Sequence, residues 1–211
     1  MINTATPFRI SFAGGGSDIP VFYRRRKGAV LSTSINKYVY LSIHSYFNLK
    51  QTLLKYSQNE LIDNVNEIKH PVFRDVMREL LPDGGVEIVS TADIPSGTGL
   101  GSSSTFTVSL LQAAYAYRGE FCSKERLARK ACEVEIKKLQ EPIGKQDQYA
   151  AAYGGLNFIE FNSNESVVVS PLILPAEIIT QLENNLLLFY MGTQRSTKEI
   201  LTDQNKQVSM D

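Results

Sequence analysis

The chain of 211 residues contains 43% hydrophobic and 21% charged residues, the balance of a globular protein with a sizeable core. Basic and acidic residues number 22 each, so no global field draws nucleic acid or an anionic membrane, and neither is an expected partner. The sequence shows no signal-peptide pattern and no apolar run long enough to span a membrane. Its two cysteines are too few for a disulfide framework, so we expect core thiols and a cytoplasmic location.

Strand patterns dominate the first half of the chain. Phe8, Ile10 and Phe12 alternate with polar residues, which predicts a strand with one buried face and with Arg9 on the other side. A glycine loop over residues 14–18 follows. Further strands are predicted for 29–35, 37–46 and 86–91 and a helix for 72–81, whereas the pattern from 53 to 71 is weak.

Helices are more frequent in the second half. They are predicted for residues 105–117, for 123–139 with Ser123 as the N-cap, and for 146–153. Strands are predicted for 156–161, 167–172 and 186–191, before a polar tail over 193–211. The sequence therefore predicts a mixed α+β domain.

A glycine- and serine-rich loop stands between a predicted strand and a buried helix. Gly97, Gly99 and Gly101 occupy alternate positions, and three serines open the helix. Without side chains the backbone can approach a phosphate, at which the free N–H groups of a helix start would point. The loop lacks the lysine of a Walker A motif and the glycine spacing of a dinucleotide-binding fold. The alternative is a mobile turn with a serine N-cap.

One carboxylate falls on the apolar stripe of the helix predicted for 123–139. Glu135 lies near the middle of that stripe at about 100° per residue, so it should be buried with a cation or strong donors. A magnesium ion would supply the charge. An internal ion pair with Arg9 or Lys145 is the equal alternative.

Asp147 follows a glycine turn into a short helix. A carboxylate there can accept a proton from an attacking hydroxyl, or it can be a first-turn residue favoured by the helix dipole. Arg9 either faces solvent or faces a cleft. The residues alone leave both questions open.

Three separate segments together resemble the GHMP kinases. These segments are Pro7-Phe8-Arg9-Ile10-Ser11-Phe12-Ala13-Gly14-Gly15-Gly16-Ser17-Asp18, the run from Ile94 to Ser104, and Glu135 with Gly144 to Tyr149. Within the superfamily, residues 13–18 with 28–33, residues 147–151 with 154–158, and residues 193–195 look most like the D-glycero-D-manno-heptose 7-phosphate kinases.

The resemblance implies a role for each matching residue. It implies a catalytic base at Asp147 assisted by Arg9, and magnesium held by Ser103 and Glu135. The ATP loop would comprise Pro95, Ser96, Gly97, Thr98, Gly99, Leu100, Gly101, Ser102, Ser103 and Ser104. The implied substrate-binding residues are Gly15, Gly16, Ser17, Asp18 and Arg195. A cationic pocket for a substrate phosphate would draw on Arg24 to Lys27, Lys37 or Arg195, although the alternative for at least two of residues 24–27 is a solvated helix end.

The resemblance also implies an architecture and an activity. The fold would be the ribosomal-protein-S5-like N-terminal lobe over residues 1–185, with residues 186–211 beginning a C-terminal lobe that is largely absent. The implied partners are ATP, Mg²⁺ and a sugar phosphate, and a homodimer is compatible with this family. The expected activity is phosphorylation of the anomeric hydroxyl of a heptose 7-phosphate; the alternatives are a kinase for another sugar such as L-fucose or galactose, and a non-catalytic ATP- and sugar-binding sensor.

Overall fold

Seven strands form a single sheet in the computed structural model, which describes residues 1–189 of the chain. They are β1 (Ile2–Ala13), β2 (Gly28–Ser45), β3 (Thr52–Lys55), β4 (Asn59–Ile62), β5 (Val86–Ala92), β6 (Leu156–Phe161) and β7 (Val167–Pro171). The order across the sheet is β4-β3-β5-β2-β6-β7, with β1 paired to β2. All pairings are antiparallel except that of β3 with β5.

The long strand β2 is the spine of this sheet. Its first half, Gly28–Thr33, pairs with β6, and its second half, Val39–Ser45, pairs with β5. β1 runs alongside both halves. One continuous strand thereby connects the glycine loop after β1 with the glycine loop after β5.

Six helices accompany the sheet within residues 1–189. They are α1 (Pro20–Tyr23), α2 (Pro71–Leu80), α3 (Ser102–Tyr117), α4 (Lys124–Cys132), α5 (Gln146–Tyr153) and α6 (Ala176–Asn184), with a 3₁₀ turn at Val65–Glu67. A π-helical turn, Glu133–Lys138, continues α4. The helix α3 packs against β1, β2, α2, α4 and α5, and it is buried on nearly all sides, as its uniform apolar composition predicted.

Most of the predicted elements are confirmed. The short strands β3 and β4 and the helices α1 and α6 were not predicted, because their periodicity is weak. The two strands predicted for 29–35 and 37–46 are one continuous strand, β2. The strand predicted for 186–191 is wrong over 186–189, which have no regular structure; its last two residues, the tail and Arg195 lie outside the described residues. Over the described part of the chain, no helix combines the length and apolarity needed to cross a bilayer.

The predicted alternation of β1 is broken. Its register against β2 shifts between Pro7 and Arg9 and again between Ser11 and Ala13. Phe8 is fully buried, but Phe12 is 38% exposed instead of packing beside it. The first shift places three β2 residues, 35–37, opposite Phe8, and the second leaves Phe12 as an extra, unpaired residue of β1, which is the pattern of a bulge.

Candidate active site

The glycine loop borders a cleft of about 780 Å³. Arg9 and Asp147 form part of its wall together with residues of the loop. Aromatic side chains line another part, namely Tyr56, His70 and Phe106. The cleft therefore combines a backbone-rich loop, a charged pair and an aromatic wall within one cavity.

Backbone conformation explains the three alternate glycines. Gly97, Gly99 and Gly101 have φ angles of 78°, 76° and 78°. A residue with a side chain would be strained in this left-handed region. Gly101 precedes the first residue of α3, and no side chain caps that helix. The serine N-cap proposed as the alternative is therefore wrong, and no capping side chain occupies the first N–H groups of α3. Such a helix start is suited to an anion.

Arg9 and Asp147 form a close ion pair in the wall of the cleft. The guanidinium Nε and Nη2 lie 2.7 and 2.6 Å from the same carboxylate oxygen, Oδ1. The remaining nitrogen, Nη1, donates to the Gly99 carbonyl at 2.9 Å. Within residues 1–189 the second oxygen of Asp147, Oδ2, has no hydrogen-bond partner. Arg9 thus faces the cleft, and it connects Asp147 to the glycine loop.

Glu135 is only 1% exposed, as the apolar stripe predicted. Its Oε1 accepts from Ser103 and Thr107 at 2.9 and 3.0 Å, and its Oε2 accepts from Ser104 and Gln148 at 2.7 and 2.6 Å. Burial raises the pKa of Glu135, and these four donors act in the opposite direction. No lysine or arginine of the described chain pairs with Glu135, so the ion-pair alternative is wrong: Arg9 binds Asp147, and Lys145 binds Glu165.

The oxygens of Ser103 and Glu135 are compatible with a magnesium ion. Ser103 is exposed to the cleft, and Glu135 is buried directly behind it. Magnesium is commonly held by one or two carboxylates and by substrate phosphates, with water completing its shell. The residues present fit that ion as an accessory to a bound triphosphate, and within residues 1–189 no cluster of three acidic, histidine or cysteine side chains forms a self-sufficient metal site.

The first glycine loop is held by its own serine. The Ser17 hydroxyl accepts from the Ala29 N–H at 3.0 Å and donates to the Gly14 carbonyl at 2.7 Å. A side chain on Gly14 would overlap the Ala29 backbone, whereas Gly15 borders open space. Of the predicted substrate-binding residues in this loop, Ser17 therefore holds the loop against β2, and Gly15 has room beside it for a ligand.

Asp18 points inward rather than toward solvent. It is 2% exposed, and its Oδ2 accepts from the backbone N–H of Gln146, the first residue of α5, at 3.0 Å. Burial raises the pKa of Asp18 to about 6. Gly144 lies so close that a Cβ there would overlap the carboxylate. In this conformation Asp18 anchors the helix that carries Asp147.

The basic run after the first loop is exposed at all four positions. Arg24 pairs with Glu165 and Lys27 with Glu160, which matches a solvated helix end for these two. Arg24 and Arg25 border a second cavity of about 500 Å³, whose wall includes Ile143. Ile143 also lines the main cleft. Lys37 lies exposed on β2.

Sequence reasoning missed the aromatic wall and the contact of Gln148 with Glu135. Tyr56, His70 and Phe106 come from three segments, and their rings approach one another directly or through Phe73, with centroids 5.0 to 5.6 Å apart. No local pattern reveals such a long-range cluster. Gln148 lies beside Asp147 in the recognised motif. A polar side chain in a short buried helix needs a partner, and this could have indicated its contact with a buried group such as Glu135.

Comparisons with known proteins agree with the resemblance. Residues 65–155 match the family model described as GHMP kinases N terminal domain. The chain is 31% identical to the D-glycero-alpha-D-manno-heptose 7-phosphate kinase of Campylobacter jejuni, over 94% of this chain and 62% of that protein. It is 28% identical to the bifunctional fucokinase/GDP-fucose pyrophosphorylase of Arabidopsis thaliana, over 92% of this chain and 20% of that protein.

A solved structure gives the same result at the level of the fold. A D-glycero-D-manno-heptose 1-phosphate kinase from Bacteroides thetaiotaomicron superposes with a TM-score of 0.84 at 29% identity, covering all of this chain and 74% of that one. The predicted fold class is thereby confirmed. The chain spans less than two thirds of the length of both curated relatives named above.

Proposed function

We propose that this chain, whose residues 65–155 match the N-terminal domain of the GHMP kinases, belongs to an enzyme that transfers the γ-phosphoryl group of ATP to a sugar hydroxyl. The observation that carries the proposal is the position of Asp147. Its free Oδ2 and its Arg9 partner border the same cleft as the glycine loop. A proton acceptor and a phosphate-binding loop in one cavity are the two parts that phosphoryl transfer to an alcohol requires.

Asp147 would act as the base. Arg9 occupies Oδ1 with two donors, which leaves Oδ2 to accept the proton of the attacking hydroxyl. As the hydroxyl oxygen bonds to the γ-phosphorus, the bond to the bridging oxygen breaks and ADP leaves with that electron pair. Arg9 also holds the Gly99 carbonyl, so it fixes the loop and the base relative to each other.

The loop and α3 would bind the nucleotide. Backbone N–H groups of the loop from Pro95 to Ser104 and the start of α3 would surround the phosphates. Ser103 and Glu135 would hold Mg²⁺, which neutralises charge on the β- and γ-phosphates when bound. The aromatic wall of Tyr56, His70 and Phe106 would stack against the adenine ring of ATP.

The substrate we favour is a heptose 7-phosphate. The Campylobacter relative at 31% identity is named a heptose 7-phosphate kinase, and the Bacteroides protein, named a heptose 1-phosphate kinase, supports a heptose phosphate more generally. A phosphorylated sugar needs a cationic contact. Arg25, which borders the second cavity near Ile143, is the candidate in the described chain. Substrate contacts by Gly15, Gly16, Ser17, Asp18 and Arg195 stay predictions.

A panel of acceptors tests the proposal. ADP release by the full-length protein would be measured with heptose 7-phosphate, the same heptose without phosphate, L-fucose and galactose. We expect kcat/KM for heptose 7-phosphate to exceed the others by at least about 10²-fold, because leaving a phosphate pocket empty forfeits charge-assisted hydrogen bonds. Preference for the unphosphorylated heptose would contradict the assigned substrate.

Two alternatives have distinct outcomes in that panel. The similarity to a fucokinase supports L-fucose as the second acceptor, and selective ADP release with L-fucose would establish it. A non-catalytic sensor would bind ATP and sugar but release no ADP with any acceptor. The Oδ2 of Asp147, which has no partner among the described residues, argues against the sensor, because binding alone needs no proton acceptor.

A further inference from the structure

The first turn of α5 contacts three different parts of the site through three consecutive residues. Gln146 binds the Asp18 carboxylate, Asp147 binds Arg9, and Gln148 binds Glu135. Successive side chains of a helix diverge by about 100°. The turn therefore lies at a junction between the first glycine loop, the strand β1 and the carboxylate proposed to hold the metal.

Gln148 differs from the other donors to Glu135 in its origin. Ser103, Ser104 and Thr107 all belong to α3. Gln148 belongs to α5, and its amide nitrogen lies 2.6 Å from Glu135 Oε2. Within residues 1–189 it is the one side chain outside α3 that donates to this carboxylate, so it joins Glu135 directly to the helix that carries Asp147.

The orientation of the Gln148 amide is fixed by charge. The side chain is fully buried, and its Oε1 has no hydrogen-bond partner among the described residues. A buried acceptor without a partner destabilises the fold, because it loses its hydrogen bond to water and gains none in return. Rotating the amide would give no relief, because it would place Oε1 against the Glu135 oxygen. Glu135 therefore dictates which end of the amide faces it.

We infer that Gln148 is a positioning residue that couples the metal-side carboxylate Glu135 to the base Asp147. The inference rests on the proposed function, because it assigns Glu135 to magnesium and Asp147 to proton acceptance. Gln148 touches neither nucleotide nor sugar in this role. It holds Glu135 in place for the MgATP complex, and through the backbone of α5 it holds Asp147 at a fixed distance from that complex.

Nucleotide binding gives the test a readout that does not depend on turnover. ATP affinity would be measured by calorimetry in magnesium and in EDTA, for the wild type, Gln148→Met and Glu135→Gln. Methionine keeps the volume and removes the donor. We expect Gln148→Met to reduce the magnesium-dependent gain in ATP affinity by about 10-fold, within the range for residues behind a metal ligand, and to leave affinity in EDTA unchanged.

Turnover supplies the second readout. We expect Gln148→Met to lower kcat by about 10²-fold at saturating MgATP with the KM of the sugar within about twofold, and Gln148→Asn to restore part of kcat because it retains the amide. Ser109→Ala is the matched control, since Ser109 is a buried hydroxyl on α3 that bonds to Thr4 away from the cleft. It should change neither readout.

A double-mutant cycle decides whether Gln148 acts through Glu135. If it does, Gln148→Met in the Glu135→Gln background should reduce the magnesium-dependent gain by less than about twofold further. Full additivity, or a wild-type magnesium effect in Gln148→Met, would overturn the inference. Should Gln148→Met not fold, the same criteria apply to Gln148→Leu, which also removes the amide donor. A wild-type protein whose ATP affinity ignores magnesium would instead refute the metal assignment in the proposed function.

Discussion

Arg9 and Asp147, 138 positions apart, meet through two guanidinium nitrogens on one carboxylate oxygen. Since Oδ1 takes both donors, the direction of Oδ2 is set by Arg9. The third nitrogen holds the Gly99 carbonyl, so a single planar group fixes both the carboxylate and the glycine loop. This geometry requires a forked cation rather than positive charge alone.

Arg9→Lys should therefore strongly reduce activity, although the positive charge is retained. A lysine cannot bind Oδ1 and the Gly99 carbonyl in the same planar arrangement, so we expect kcat to fall about 10²-fold and the KM for ATP to rise. Steady-state kinetics checks both. Arg118→Lys is the control, because Arg118 also joins a carboxylate, Glu120, to a carbonyl, that of Leu80. Equal effects of the two changes would exclude a special role for Arg9.

Asp147→Asn removes the proton acceptor and keeps the shape of the side chain. We expect kcat to fall by about 10²–10⁴-fold, the usual contribution of general base catalysis. ATP affinity, measured by calorimetry, should stay within about threefold, since the loop supplies the phosphate contacts. Asp63→Asn, a change at a carboxylate that bonds to Gln51, should leave kcat unchanged. Turnover near that of the wild type in Asp147→Asn would remove Asp147 from the role of base.

Gly144→Ala should destabilise the fold around Asp18. A Cβ at this position would overlap the buried carboxylate, and forcing extra volume into a packed site costs about 1–3 kcal/mol. Urea unfolding would measure the loss. Gly15→Ala, at a glycine with open space around it, should cost much less. Asp18→Ala in the Gly144→Ala background should recover part of the stability, because it removes the carboxylate but leaves the Asp18 carbonyl carbon 2.9 Å from the added Cβ. Additive losses would contradict the overlap.

Stability should depend on pH through Asp18. Burial raises its pKa from 3.8 to about 6, so the folded state binds its proton more tightly than the unfolded state does. The resulting contribution is complete below about pH 4 and is lost as the pH rises to about 6. It amounts to about 3 kcal/mol, taking roughly 1.4 kcal/mol for each pH unit of the window.

Asp18→Asn removes this titration and keeps an acceptor for the Gln146 N–H. We expect its free energy of unfolding to be flatter than that of the wild type between pH 4 and 6, as measured by urea denaturation at several pH values. Asp63→Asn is again the control. An unchanged slope in Asp18→Asn would show that another group titrates in this range.

Much of the site could be predicted from the sequence because its signals are local. The position of Glu135 on an apolar stripe predicted its burial, and the alternate glycines from Gly97 to Gly101 predicted a loop between a strand and a buried helix. The partners of Glu135 could not be chosen in the same way. The sequence left magnesium and an ion pair equally open, whereas the structure surrounds the carboxylate with four neutral donors from two helices.

The rest depended on tertiary contacts. The two register shifts of β1 arise in its pairing with β2, and nothing in the alternation of Phe8, Ile10 and Phe12 reveals them. The inward direction of Asp18 depends on Gly144, which is distant in sequence. The short strand β3 pairs with β5, and β4 pairs with β3, so both depend on neighbours in the sheet and their own residues give a weak signal.

The spine strand β2 also constrains how the chain folds as it is synthesised. Its first half has β6 as a neighbour, and the ribosome adds more than a hundred residues between the two strands. At about 5–20 residues per second, that half waits on the order of ten seconds for its neighbour. Such distant pairing slows folding and leaves an open strand edge in the meantime. Cotranslational folding of this domain is therefore expected to finish only after β6 has left the exit tunnel.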